Sequence, residues 1–297
     1  MTKLFFWKVL YTVRFLCYNK MRGSIMKYTI QSGKYIFKNF IYILPFAIIP
    51  AFFFSISTDE KALISVLQKL ATENIAQWEF NELFRAISVL NFGSWKSVVF
   101  GILGSILIII CVALMMALIE KHFRIGKRTY TGLFSKLNDN LISTAGYVFL
   151  ILVIYEIWAL LLSAFLFAVS RIPYIVIAYP AAAAFFIIMH VVLIYIIGAL
   201  YLWLSCMQLT GFKALEALQY SYQLLSPLKI KLLIMQLITL FVAEFLICLC
   251  VVIAPNFVFV TILTTVLYTF MIMLYCVRMQ VAYFDRDNIE RADEKKY

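Results

Sequence analysis

Two carboxyls, Glu156 and Glu244, and one imidazole, His190, stand inside stretches of sequence that are otherwise almost continuously apolar. An ionised carboxylate at the middle of a bilayer costs at least about 2.5 to 3.5 kcal/mol on insertion scales, so such a group faces the bundle interior and finds a partner, or keeps its proton. Glu156 and Glu244 could therefore bind a proton, a cation or the head of a cationic substrate. The plainer alternative is that each acid is neutral and hydrogen-bonded to a neighbouring helix. His190 lies close enough in depth to partner either carboxyl. One histidine with two carboxyls could also hold a divalent metal, but no HxxxH, HExxH or Cys and His spacing supports such a site, so no metal and no cofactor are expected.

A second group is basic. Lys121, Arg124, Lys127 and Arg128 fall within eight residues just past an apolar stretch. They could hold anionic phospholipid headgroups or the acidic face of a cytoplasmic or membrane protein partner, although such a run also does no more than set topology. Nucleic acid is not expected, because no folded module is present to place the charges. Catalytic residues are not expected either: GxSxG, P-loop, GxGxxG and HExxH are all absent, and Asp285-Arg286-Asp287 lacks the glycine and closing glutamate of a calcium loop. The chain reads as non-enzymatic.

The elements that must position these groups follow from composition. Of 297 residues, 64% are hydrophobic and only 14% charged, with a mean hydropathy of +0.94. Soluble domains run near half apolar and about a quarter charged, so this chain needs lipid to cover its surplus. Six stretches reach the length of about 20 residues that a crossing needs. They are 36–57, 97–118, 143–167, 180–207, 232–254 and 257–276, the fourth with an ambiguous start because Pro173 and Pro180 could each begin or kink a helix. The expectation is a single all-α integral membrane domain, a polytopic transmembrane bundle.

Charge sets the orientation. Residues 1–38 carry eight bases and no acid, the bases after the second span include Lys121 to Lys136, and Lys213, Lys229 and Lys231 follow the fourth. Residues 58–96 instead balance Lys61, Lys69, Arg85 and Lys96 against Asp59, Glu60, Glu73, Glu79 and Glu82. With both termini cytoplasmic, every base-rich segment falls on one side. The net charge of +11 then describes orientation and headgroup contact. Residues 1–35 read as a basic interfacial segment; Lys8 and Arg14 interrupt its apolar run, which argues against a cleaved signal peptide. Residues 277–297 read as the cytoplasmic tail, of which 285–297, with charges of alternating sign, reads as a solvated helix end.

Amphipathic stretches precede the first, third and fifth spans: 28–35 leading to Lys38 and Asn39, 130–137 leading to Asn138-Asp139-Asn140, and 212–225 leading to Lys229-Ile230-Lys231. Three hairpins, each led by a cytoplasmic interfacial helix, is the expected plan. The loop 58–96 carries Phe80, Leu83, Phe84, Ile87 and Leu90 at helical spacing, with Trp78 and Trp95 beside them as interface anchors, so one or two helices are expected to lie on the outer surface. Gly101, Gly104 and Ser105, and the run Ala181 to Ala184, read as close-packing faces. Of six cysteines, none lies in that loop, so a disulfide framework is not expected; Cys17 is a candidate only for acylation.

Residues 211–221 (GFKALEALQYS), followed by 226–231 (SPLKIK) and the fifth span, together with TGLFSK at 131–136 and VAYFD at 281–285, carry a resemblance. The chain resembles six-span bacterial membrane proteins related to the membrane domain found beside glycerophosphoryl diester phosphodiesterases. That resemblance implies a fold and a bacterial plasma-membrane setting, and no catalytic activity, since no phosphodiesterase barrel is present. The expected function is a lipid-facing, scaffolding or accessory role. The alternative is a transporter, or its membrane subunit, using the intramembrane carboxyls. An intramembrane enzyme has the least support, since no nucleophile and base spacing occurs.

Overall fold

The computed structural model describes residues 27–72, 74–91, 93–226, 228–253 and 256–294. The interfacial reading of the N-terminal segment up to residue 26, and Cys17 with it, lies outside those residues. The rest folds as helices: α1 (27–38), α2 (Phe40–Ser57), α3 (Glu60–Ala71), α4 (Phe80–Ile87), α5 (Trp95–Ile125), α6 (Leu133–Ser170), α7 (Ile175–Ala199), α8 (Trp203–Thr210), α9 (Ala214–Leu225), α10 (Lys229–Ile253) and α11 (Phe257–Arg286). Six stretches are long and apolar enough to cross a bilayer, at the six places the sequence marks: α2, α5, α6, α7 with α8, α10 and α11. The chain is a multi-pass membrane protein.

The spans form a ring. α2 packs between α5 and α11, and contacts then run from α5 to α6, α6 to α7, α7 to α10 and α10 back to α11. α5 and α2 approach closely because Gly104 has no side chain: a Cβ there would stand 3.0 Å from the Phe54 ring. At Gly101 a Cβ would come within 3.2 Å of the Val89 carbonyl. The run Ala181 to Ala184 is different, since only Ala182 is buried and Ala183 and Ala184 face outward. Small residues at successive positions of a helix point around its circumference, so they make no continuous face.

Several boundaries differ from the sequence expectation. The first span breaks at Asn39, whose side chain donates to the Tyr35 carbonyl at 2.8 Å, leaving α1 separate from α2. α1 packs one face on the bundle, with Tyr28, Ser32, Tyr35 and Ile36 buried, and leaves Lys27, Ile30, Lys34, Phe37 and Lys38 exposed. α6 runs unbroken through Asn138-Asp139-Asn140, so the second hairpin has no hinge and no separate leading helix. The exposed Asn138 and Asp139 point away from the bundle and give the helix no reason to stop. At about 57 Å, α6 exceeds a hydrocarbon core of about 30 Å. The fourth span starts at Ile175 with Pro180 inside the helix, and it breaks at residues 200–202, where the turn tightens to bonds three residues back. α9 forms as expected over the third amphipathic stretch.

Two ends of the bundle are distinguishable. The loop end carries α3 and α4; the basic end carries α1, α9 and the starts of α6 and α10. Gly126 ends α5 there with φ of 75°, a left-handed conformation that a side chain would strain. α11 continues to Arg286, with Val281 to Phe284 buried. The following tail is not simply solvated: it folds back on α5, where the Arg291 guanidinium lies over the Phe123 ring at 4.1 Å while pairing with Asp293 and Glu294.

Candidate functional site

α7 buries His190 completely, with the rings of Phe186, Trp158 and Phe241 at 4.1, 4.8 and 5.3 Å between centroids. Its Nδ1 lies 2.7 Å from the Phe186 carbonyl oxygen. A carbonyl only accepts, so Nδ1 carries the hydrogen. The other nitrogen, Nε2, lies 2.8 Å from Glu244 Oε1 on α10. One further proton occupies that contact, held by the carboxyl or by the imidazole. Either arrangement leaves the pair with no net charge, which is how two ionisable groups can share a low-dielectric position. Glu244 Oε2 is buried without a partner.

Glu156 on α6 is engaged differently. Its Oε2 accepts from the Ser88 hydroxyl at 2.7 Å, and its Oε1 accepts from the backbone amides of Val89 and Leu90 at 3.0 and 2.9 Å. Three donors converge on one carboxyl, an arrangement suited to an acceptor-only carboxylate. The adjacent Tyr155 donates its hydroxyl to the Ile87 carbonyl at 2.8 Å. The end of α4 is thereby tied to α6 at a level about 21 Å along the helix from Ser170. Glu156 and Glu244 hold different partners and share no hydrogen bond, although Tyr155 stands near enough to both for each to act on it electrostatically.

The loop between the first two spans therefore packs into the bundle. Trp78 is buried, with its indole N–H on the Val66 carbonyl at 3.3 Å, and so is no interface anchor; Trp95 is exposed. Leu83 faces inward from α4. Arg171, the base of the α6–α7 turn, donates to the carbonyls of Ala76 and Trp78 at 3.4 and 3.2 Å. Asp59 caps α3 by accepting from the Ala62 amide at 3.1 Å and pairs with Arg85, while Glu82 pairs with Lys69. Burial opposes ionisation of both acids, but the amide and the cations outweigh it and hold each carboxyl below its ordinary range. Glu60, buried against the Thr261 hydroxyl, is instead pushed up by its desolvation.

The four bases at the basic end are partly committed. Arg124 pairs with Glu120 at 3.1 Å, and Lys136 approaches the same carboxyl at 3.8 Å. Lys121 donates to the carbonyl and hydroxyl of Thr131, and Arg128 to the Lys38 carbonyl at 3.3 Å. Lys127 and Arg128 are exposed. The other histidine, His122, is buried, with Nδ1 at 2.9 Å from the Tyr35 hydroxyl.

Among the described residues no group of three His, Cys, Asp or Glu side chains could hold a metal, and Cys111, Cys206, Cys248 and Cys276 are free thiols. Sequence reasoning missed Arg278 and Gln236. Both are buried, yet Arg278 falls two residues beyond the sixth span drawn from hydropathy. The signal was the apolar alternation that continues past it through Val277, Met279 and Val281.

No family model, curated protein or solved structure matches the chain.

Proposed function

We propose that this chain is a non-enzymatic accessory or scaffolding protein of the bacterial plasma membrane, with its basic end in the cytoplasm. The observation that carries the reading is the separate engagement of the two carboxyls. Glu156 fastens α4 to α6 and Glu244 fastens α10 to α7, so each acid has a structural task of its own, on a different pair of helices. Charge supports the orientation: α1, the α5–α6 turn and the α9–α10 region carry the bases, and the opposite end is nearly balanced. The exposed bases Lys127 and Arg128 then meet anionic headgroups or an acidic partner.

A transporter is the second reading, favoured by the unpartnered Glu244 Oε2 beside a proton that either His190 or Glu244 can hold. Reconstitution decides between them. Proteoliposomes holding a pH-sensitive dye should show no proton or monovalent-cation flux above empty liposomes, for the natural chain and for Glu156→Gln with Glu244→Gln alike. A flux present in the natural chain and lost in the double variant would replace the accessory reading with transport.

A further inference from the structure

The basic half of the bundle contains a cation with no counter-charge. Arg278 of α11 is 3% exposed. Among the described residues no carboxylate lies within ion-pair distance of it. Among the described residues its one hydrogen bond is long, 3.4 Å to the Thr239 hydroxyl of α10, which itself donates to the Met235 carbonyl. Its Nε has no partner. Three residues earlier on α10, and so on the same side of that helix, Gln236 is 7% exposed with both its amide oxygen and its amide nitrogen unpaired. α7 comes close at this point: a Cβ on Gly198 would stand 3.6 Å from Gln236 Oε1. Just beyond, the chain breaks between α7 and α8, and Tyr201 lies close enough to Arg278 to interact with it electrostatically.

A guanidinium stays protonated in any protein setting and is costly to bury without an opposite charge and hydrogen bonds. Burying an amide with neither end satisfied adds to that cost, and unpaired buried groups of this kind mark a place where a ligand or water completes the structure. Arg278 and Gln236 supply what an oxyanion needs: a planar fork of N–H donors, an amide N–H2, and an amide oxygen that can accept from a hydroxyl on the same ligand. Placed about 12 Å from the end of α11, they also lie in the half of the bundle whose surface is rich in Lys and Arg.

We propose that Arg278 and Gln236 form an internal oxyanion site between α7, α10 and α11, with Thr239 only steadying the guanidinium, that takes a phosphate group, either free or as the headgroup of an anionic lipid. The assignment is independent of the accessory and transport readings.

The full chain tests it in two arms. In phosphate-free neutral detergent, inorganic phosphate at matched ionic strength should raise the melting temperature saturably by a few degrees if the site takes the free anion, because a ligand that binds only the folded state stabilises it. In lipid nanodiscs, phosphatidylglycerol should raise it relative to phosphatidylcholine if the site takes a headgroup. A response in either arm should disappear in Arg278→Gln. Should that variant fail to fold, Gln236→Leu, which removes the amide without creating a buried charge, should weaken the response at least threefold. No response in either arm, or one that Arg278→Gln or Gln236→Leu leaves unchanged, overturns the proposal.

Discussion

The imidazole of His190 bridges two helices: Nδ1 is committed to the Phe186 carbonyl on its own helix at 2.7 Å, and Nε2 meets Glu244 of α10 at 2.8 Å. Because the first contact fixes one hydrogen, the second must be filled by a group able to donate to, or accept from, Nε2. Glu244→Gln keeps such a group and should change stability by less than about 1 kcal/mol. Glu244→Leu leaves a buried nitrogen unpaired and should cost about 1 to 3 kcal/mol. Adding His190→Phe to Glu244→Leu should recover part of that loss, and a double-mutant cycle of unfolding in detergent micelles measures the coupling. Additive effects would mean that the contact contributes nothing.

Acidification should loosen the loop end first. Asp59 and Glu82 titrate below their ordinary range in the folded chain, so the folded state binds fewer protons there than the unfolded state. Their contribution to stability is complete above the ordinary carboxylate value of about 4 and is lost as pH falls through their lower folded values. Glu60 works in the opposite sense. Raised by burial, it takes stability away as pH rises from the ordinary value through its own. Thermal unfolding between pH 7 and pH 3 should show the natural chain losing melting temperature on acidification. Asp59→Asn with Glu82→Gln should start lower at pH 7 and lose less. Equal acid sensitivity in the two chains would remove these pairs from the explanation.

Orientation is open to direct labelling. In a cysteine-free background, Lys61→Cys at the loop end should react with a membrane-impermeant maleimide in intact cells, and Lys127→Cys at the basic end only after the membrane is opened. Both positions are exposed, so burial does not confuse the result. The reverse pattern would invert the bundle.

The spans were legible because twenty apolar residues in a row have few other uses, but their ends were harder to see. Arg278 and Gln280 ended the apparent sixth span although both are buried in a helix that continues to Arg286; a lone charge breaks a hydropathy window whether or not it breaks the helix. Asn138-Asp139-Asn140 resembled a hinge, yet two of its three side chains are exposed and α6 passes through. Depth along the spans pointed to His190 as a neighbour for either carboxyl and could not choose between them. The partners of Glu156 left no trace in sequence, because two of the three are backbone amides, and amides carry no side-chain signature. Trp78 had the spacing of an interface anchor, and its burial and its hydrogen bond to Val66 inside the folded loop tell the two roles apart.

The central claim is that the acids inside the spans fasten elements together, and Glu156 states it most sharply. Hydrogen–deuterium exchange of the full chain in micelles, with and without Glu156→Ala, tests it at the amides of Val89 and Leu90, which donate to that carboxyl. The account predicts that these amides and the adjoining end of α4 exchange at least about tenfold faster in the variant, equivalent to about 1.4 kcal/mol of lost local stability, while α2 and α11 are unchanged. Unaltered exchange at Val89 and Leu90 would contradict it.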